Sequence, residues 1–181
     1  MAGDIPVPGY YDSDGALDLA IYRNGIWWIA ETTDGVKAYS FGLPTDKPVP
    51  ADYDGDGKTD IAVYRDGMWW IDRTRDGIVG IKFGIAGDKP VPADYDGDGK
   101  TDMAVYRDGV WWLCQSTNGV VGIQFGLPTD IPVPADYDGD GKTDLAVYRE
   151  GIWYLFLSTT GFEARSFGSA NDRPVQASLN H

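Results

Sequence analysis

The chain has 181 residues and 19.8 kDa, enough for one domain with a core that needs no disulfide staples. Its 28 acidic residues against 15 basic ones give a net charge of -13, and its Lys and Arg are not clustered, which excludes a phosphate-tracking groove and nucleic acid as a partner. One cysteine, Cys114, and one histidine, His181, exclude an internal disulfide, a histidine zinc site and a Ser-His-Asp triad.

No apolar run approaches the length of a membrane span, so no membrane insertion is expected. The Met1-Ala2-Gly3-Asp4 start lacks the basic and apolar segments of a secretion signal. Of the 28 acids, 25 are Asp, a poor helix former and a good turn residue and metal ligand. With 24 Gly, 11 Pro and 13% aromatic residues, the composition predicts short strands joined by tight turns.

In chain order, the first unit spans 4–45 and carries the loop Tyr11-Asp12-Ser13-Asp14-Gly15-Ala16-Leu17-Asp18. The second, 46–87, opens with the approach strand Pro48 to Tyr53 and the loop Asp54-Gly55-Asp56-Gly57-Lys58-Thr59-Asp60. Strands over 61–65, 68–72 and 78–83 follow, separated by turns at Asp66-Gly67 and Arg75-Asp76-Gly77. The third unit, 88–129, matches the second at 29 of 42 positions, and the fourth, 130–171, repeats the loop again as Asp138 to Asp144. Residues 172–181 start a partial fifth unit, expected to be a closure strap or the stump of a longer parent. Each unit reads as four strands of five to six residues, without clean apolar alternation, which predicts small sheets covered on both faces. Sheets of that kind are stabilised by radial stacking, so the expected fold is an all-β propeller of four 42-residue blades, as a four-bladed ring or as half of an eight-bladed homodimer. A β-solenoid or stacked sandwich of the same period is the competing architecture.

The acidic loops predict metal sites. With Asp52 at position 1, Asp54 and Asp56 fall at 3 and 5, Gly57 at 6, the Lys58 carbonyl at 7 and Asp60 at 9, the opening half of an EF-hand loop. Position 12, the bidentate Glu of an EF-hand, is Ile21, Val63, Val105 or Val147 here, so the loop belongs to a β-hairpin. The third loop offers Asp94, Asp96, Asp98, Lys100 and Asp102, and the fourth Asp136, Asp138, Asp140, Lys142 and Asp144. Carboxylates held this close repel unless a cation sits among them, and an all-oxygen donor set selects Ca2+. The bland alternative, a solvated Asp/Gly turn, is weakened by three near-identical copies. In the first loop Tyr10 replaces the position-1 Asp, leaving Asp12, Asp14 and Asp18 with the Ala16 carbonyl, and a weaker or empty site is expected. The four loops hold 15 of the 28 acids, so cations are the expected partners.

With Phe-Gly pairs at Phe41-Gly42, Phe83-Gly84, Phe125-Gly126 and Phe167-Gly168, the Pro-Val-Pro-Ala approach and the Asp-Gly-Asp-Gly loop, the chain resembles the FG-GAP and VCBS repeat family. Blades of that family build integrin α-subunit heads, propeller lectins and bacterial surface proteins. The resemblance implies a calcium-binding propeller, and the lectins in the family imply sugar sites in crevices between blades. A non-catalytic recognition module for glycans or a protein ligand is therefore expected. The paired aromatics Trp27-Trp28, Trp69-Trp70, Trp111-Trp112 and Trp153-Tyr154 serve first as interblade core and second as sugar platforms.

A second reading, from the close repeat identity, is a built or truncated symmetric scaffold whose folding is stabilised by calcium and which has no ligand of its own. An enzyme is not expected, because the conspicuous acids belong to the loops and Glu31, Glu150 and Glu163 stand at unmatched repeat positions. Arg23, Arg65, Arg107 and Arg149 recur opposite the loops and are expected to pair with an Asp or carbonyl of the neighbouring blade. Cys114 reads as packing. Calcium loops of this kind fill best where the ion is abundant, so an extracellular or periplasmic location is expected.

Overall fold

The computed structural model describes residues 3–175; Met1-Ala2, the end of the partial fifth unit and His181 lie outside them. The fold is all-β, with four antiparallel four-stranded sheets that are the blades of a β-propeller, each in sequential strand order. The first blade is β1 (Ile5–Pro6), β2 (Leu19–Arg23), β3 (Ile26–Glu31) and β4 (Gly35–Ser40). The second is β5 (Lys47–Pro48), β6 (Ile61–Arg65), β7 (Met68–Arg73) and β8 (Gly77–Lys82). The third is β9 (Lys89–Pro90), β10 (Met103–Arg107), β11 (Val110–Gln115) and β12 (Gly119–Gln124). The fourth is β13 (Ile131–Pro132), β14 (Leu145–Arg149), β15 (Ile152–Leu157) and β16 (Gly161–Ser166). Two compact units divide the chain, one holding the first two blades up to Gly87 and one holding the other two from Asp88.

The predicted hairpins form where the Asx-Gly signals stand. Asp66 and Gly67 both adopt positive φ, 51° and 83°, the twist-matched two-residue turn that joins β6 to β7 in the register Arg65 opposite Met68. The Phe-Gly pair also has a physical reason. Phe41 presents its carbonyl to the Trp27 indole N–H at 2.9 Å, and a Cβ on Gly42 would stand 2.7 Å from the Tyr22 hydroxyl. That hydroxyl donates to the Leu43 carbonyl at 2.6 Å, so one Tyr and one Trp fasten each blade's exit segment to its middle strands.

Two strand expectations need correction. The approach strand is a two-residue ladder, because its prolines cannot donate; Val7 N–H still reaches the Ala20 carbonyl at 2.9 Å, and pairing resumes only at the isolated bridge between Gly9 and Asp18. The fourth strand is mostly exposed, because it is the outer edge of the blade and little packs against it. Two aromatic pairs split cleanly between a fully buried and an exposed ring, Trp27 with Trp28 and Trp111 with Trp112; Trp69 is fully buried with Trp70 half-buried, and Trp153 and Tyr154 are both half-buried.

The arginines pair within their own blade. Arg149 donates to both carboxylate oxygens of Asp130, at 2.7 and 2.8 Å, and Arg23 does the same with Asp4, whereas Arg65 and Arg107 reach Asp46 and Asp88 through one nitrogen each, at 3.2 and 3.4 Å. The partner Asp sits immediately before the inner strand, 19 residues upstream, and the antiparallel ladder brings that position beside the end of the second strand. Burial alone would raise the Asp130 pKa, and the Arg149 guanidinium, the Leu127 amide and the Lys89 charge together offset it and hold the carboxyl below its usual range. Cys114 is half-buried, and that burial pushes its thiol pKa up, as for a packing residue.

Candidate metal centre

The acidic loop joins the bridge at the end of the approach strand to the second strand of the blade. In the second loop Asp52 holds the turn together: its carboxylate accepts from the backbone N–H groups of Gly55, Asp56 and Gly57 at 2.7, 3.2 and 2.8 Å. Gly57 takes a φ of 84°, the left-handed bend that position 6 requires. Asp94 and Asp136 hold Gly97 and Gly99, and Gly139 and Gly141, in the same way.

Position 9 is a second anchor. Asp60 accepts from the Tyr53 and Thr74 N–H groups, both at 2.9 Å, and has no exposed surface. Its burial, with Asp54 and Asp52 close by, pushes its pKa up to about 6 against the lowering effect of those two amides. Asp102 is raised to about 6 by burial and by Asp96 and Asp94, and Asp144 is raised for the same reason.

These anchors bring three carboxylates of each loop together: Asp52, Asp54 and Asp60; Asp94, Asp96 and Asp102; Asp136, Asp138 and Asp144, each group with ligand atoms within 4.8 Å of one another. The position-3 residues carry the fit to a cation. Asp54 is 7% exposed, its Oδ2 accepts from Arg75 N–H, and its Oδ1 is buried with no hydrogen-bond partner. The Oδ1 atoms of Asp96 and Asp138 are buried and unpartnered as well. A buried carboxylate oxygen without a donor is costly, and it recurs at one position of three loops, each of which could hold a cation there. An all-oxygen set carrying three negative charges suits a hard dication such as calcium.

The position-5 residues stand outside these groups. Asp56 accepts from the Lys58 amide at 2.9 Å and from the Thr74 hydroxyl at 2.5 Å, and these bonds hold its pKa low despite slight burial. Asp98 and Asp140 do the same with Ser116 and Ser158, and the Lys100 and Lys142 amides donate to them. The position-7 residues therefore bond position 5 through their amides. The hydroxyl residues at the turn after the third strand were missed in the sequence, although Thr32-Thr33, Thr74-Arg75, Ser116-Thr117 and Ser158-Thr159 recur every 42 residues. Thr117 and Thr159 also donate, through amide and hydroxyl, to the position-3 Oδ2 of Asp96 and Asp138.

The first loop gathers no such group among the described residues. Asp12 Oδ1 accepts from Asp14 N–H at 2.9 Å, Asp14 Oδ1 accepts from Ala16 N–H at 2.7 Å, and Asp18 accepts from Tyr11 and Thr32 N–H. Beside it lies an open polar cavity of about 540 Å3. Asp12, Asp14, Lys37 and Tyr39 line it from the first blade, and Lys58 from the second.

Residues 94–147, from the position-1 Asp of the third loop through the strand after the fourth, match the FG-GAP-like repeat family. The comparison with curated proteins gives no match. Among solved structures the chain is similar to a lectin from Agrocybe aegerita, described by its specific recognition of non-reducing terminal N-acetylglucosamine, at a TM-score of 0.63 and 18% identity. The alignment covers 91% of this chain and 52% of that one, so the chain spans about half the length of the lectin, and the likeness is one of fold.

Proposed function

We propose that this chain of FG-GAP-like repeats is a calcium-stabilised, non-catalytic recognition module whose ligand is carbohydrate. The calcium part rests on the three unpartnered buried oxygens of Asp54, Asp96 and Asp138. Those oxygens, with Asp52, Asp60 and their equivalents, would hold the ion, which supplies positive charge to a cluster otherwise held together against its own repulsion. The loops would then lock the turn after the third strand through Thr74, Ser116 and Ser158.

The carbohydrate part is supported by the propeller fold shared with a lectin, and by a cavity that joins a tyrosine face to carboxylates and ammonium groups. Sugar recognition uses that combination, aromatic stacking for the ring and fixed polar groups for its hydroxyls. Tyr39 is exposed at this cavity and is the first stacking candidate. An extracellular or periplasmic setting, where calcium is abundant, belongs to the same proposal.

A glycan array in millimolar calcium, including terminal N-acetylglucosamine, tests the ligand class. Binding that is lost in Tyr39→Ala supports the cavity, and a blank array at high multivalency overturns the carbohydrate reading. The second reading, a symmetric scaffold without a ligand, is favoured by the 29 of 42 identities between adjacent units. It predicts a melting temperature that responds to calcium and to no sugar.

A further inference from the structure

The two blades of each unit meet in the same directional way. In the first unit the face bearing Tyr22, Trp27 and Ile29 packs on the face of the next blade bearing Ile61, Val63 and Trp70. In the second unit Tyr106, Trp111 and Leu113 meet Leu145, Val147 and Tyr154. Phe125 of the Phe-Gly segment adds an anchor there, with its ring 5.6 Å from Phe156 and 6.4 Å from Phe162 of the following blade.

Among the described residues, one half of this contact is exposed on the first blade and the other half on the fourth. On the first blade, the positions of Leu145, Val147, Tyr154, Phe156 and Phe162 hold Leu19, Ile21, Trp28, Ala30 and Val36, and these line an open apolar cavity of about 440 Å3. Leu19 is 75% exposed where Leu145 is 4% exposed. On the fourth blade, Phe167 is 78% exposed, whereas Phe41 and Phe125 are half-buried against the cores they close. Trp153 is half-buried where Trp27 and Trp111 have no exposed surface.

We propose that these two faces dock on each other between two copies of this chain, the fourth blade of one on the first blade of the other, with Phe167 seated in the cavity bordered by Leu19, Trp28, Ala30 and Val36. The occupant is identified by continuity: the chain builds the same contact twice within itself and exposes both complementary halves again, on its first and fourth blades. Ala30 and Val36 replace two phenylalanines, which opens the room that an incoming ring fills. Burying these apolar residues supplies the driving force, and the contact is head-to-tail. Two copies that make this contact reciprocally leave neither face open, so the proposed assembly is a dimer.

Sedimentation in saturating calcium tests this. The expected mass is twice 19.8 kDa. A single-chain mass at every concentration overturns the proposal. Phe167→Asp, at a side chain that is exposed within one chain, should raise the dissociation constant by at least about tenfold without changing the circular dichroism spectrum; an unchanged dimer overturns the docking site. Ala30→Cys with Phe167→Cys in a Cys114→Ser background gives a second readout independent of affinity. A disulfide joining two chains supports the contact between copies, and a disulfide closed within one chain overturns it.

Discussion

The first acidic loop and the three that follow carry nearly the same residues yet arrange them oppositely. With Asp at position 1, the loop amides bond that carboxylate, and the position-3 oxygen is left pointing inward with no donor. With Tyr10 at position 1, the amide of Asp14 turns to Asp12 instead, and the same oxygen is satisfied. One carboxylate, by taking the loop amides, therefore decides whether an oxygen of another is left without a donor.

Chelation should break this contrast most visibly. If each of three loops is filled at a hundredfold excess of calcium over its dissociation constant, each contributes about 2.7 kcal/mol. Excess chelator should then lower the melting temperature by on the order of 20 °C. Calorimetric titration should count three ions; four ions of equal affinity would erase the distinction between the loops.

Single substitutions sharpen it next. Asp96→Asn should remove one ion and about 2 to 3 kcal/mol in calcium, while Asp12→Asn should leave the ion count unchanged. Tyr10→Asp with Ser13→Gly should move the count upward.

The opposite end of the blades, where all four repeats agree, should ignore chelator and respond to acid. Arg149→Met should cost about 2 kcal/mol, because Asp130 is buried and loses a two-point partner. Asp130 has a folded pKa below its ordinary value, so this pair's stabilisation is present above the usual carboxylate range and is lost as the pH falls below about 4. Urea titrations from pH 7 down to pH 3 should show a smaller acid loss in Arg149→Met than in the parent; equal losses would remove the pair from the account.

The smallest effect is expected at Gly9, which stands where the other repeats have Ala51, Ala93 and Ala135. A Cβ there would lie 2.8 Å from the Thr59 hydroxyl, which accepts from Tyr10 N–H. Gly9→Ala should cost about 1 kcal/mol by thermal melt, whereas Ala51→Gly should show no such clash relief.

Much of this was legible because the repeat is local. The 42-residue period, the Asp66-Gly67 turn, the alternation of Trp27 and Trp28 and the metal spacing from Asp52 to Asp60 depend on residues close in sequence, where backbone geometry leaves few options. What misled was the partner of a group. Arg149 was expected to reach a neighbouring blade and instead meets Asp130 of its own. The Thr74 hydroxyl, 18 residues from Asp56, donates to its carboxylate, a partner that the spacing within the loop does not announce.

The sequence alone determined the repeat, the strand count, the turns and which loops are rich in acid, because each follows from spacing and from the conformational limits of Gly, Pro and Asx. Only the tertiary structure decided which carboxylate oxygens are left without donors and which apolar side chains are exposed among the described residues. Both are matters of what remains unsatisfied after folding, and a residue's leftover bonding capacity is fixed by everything packed around it, not by its own position in the chain.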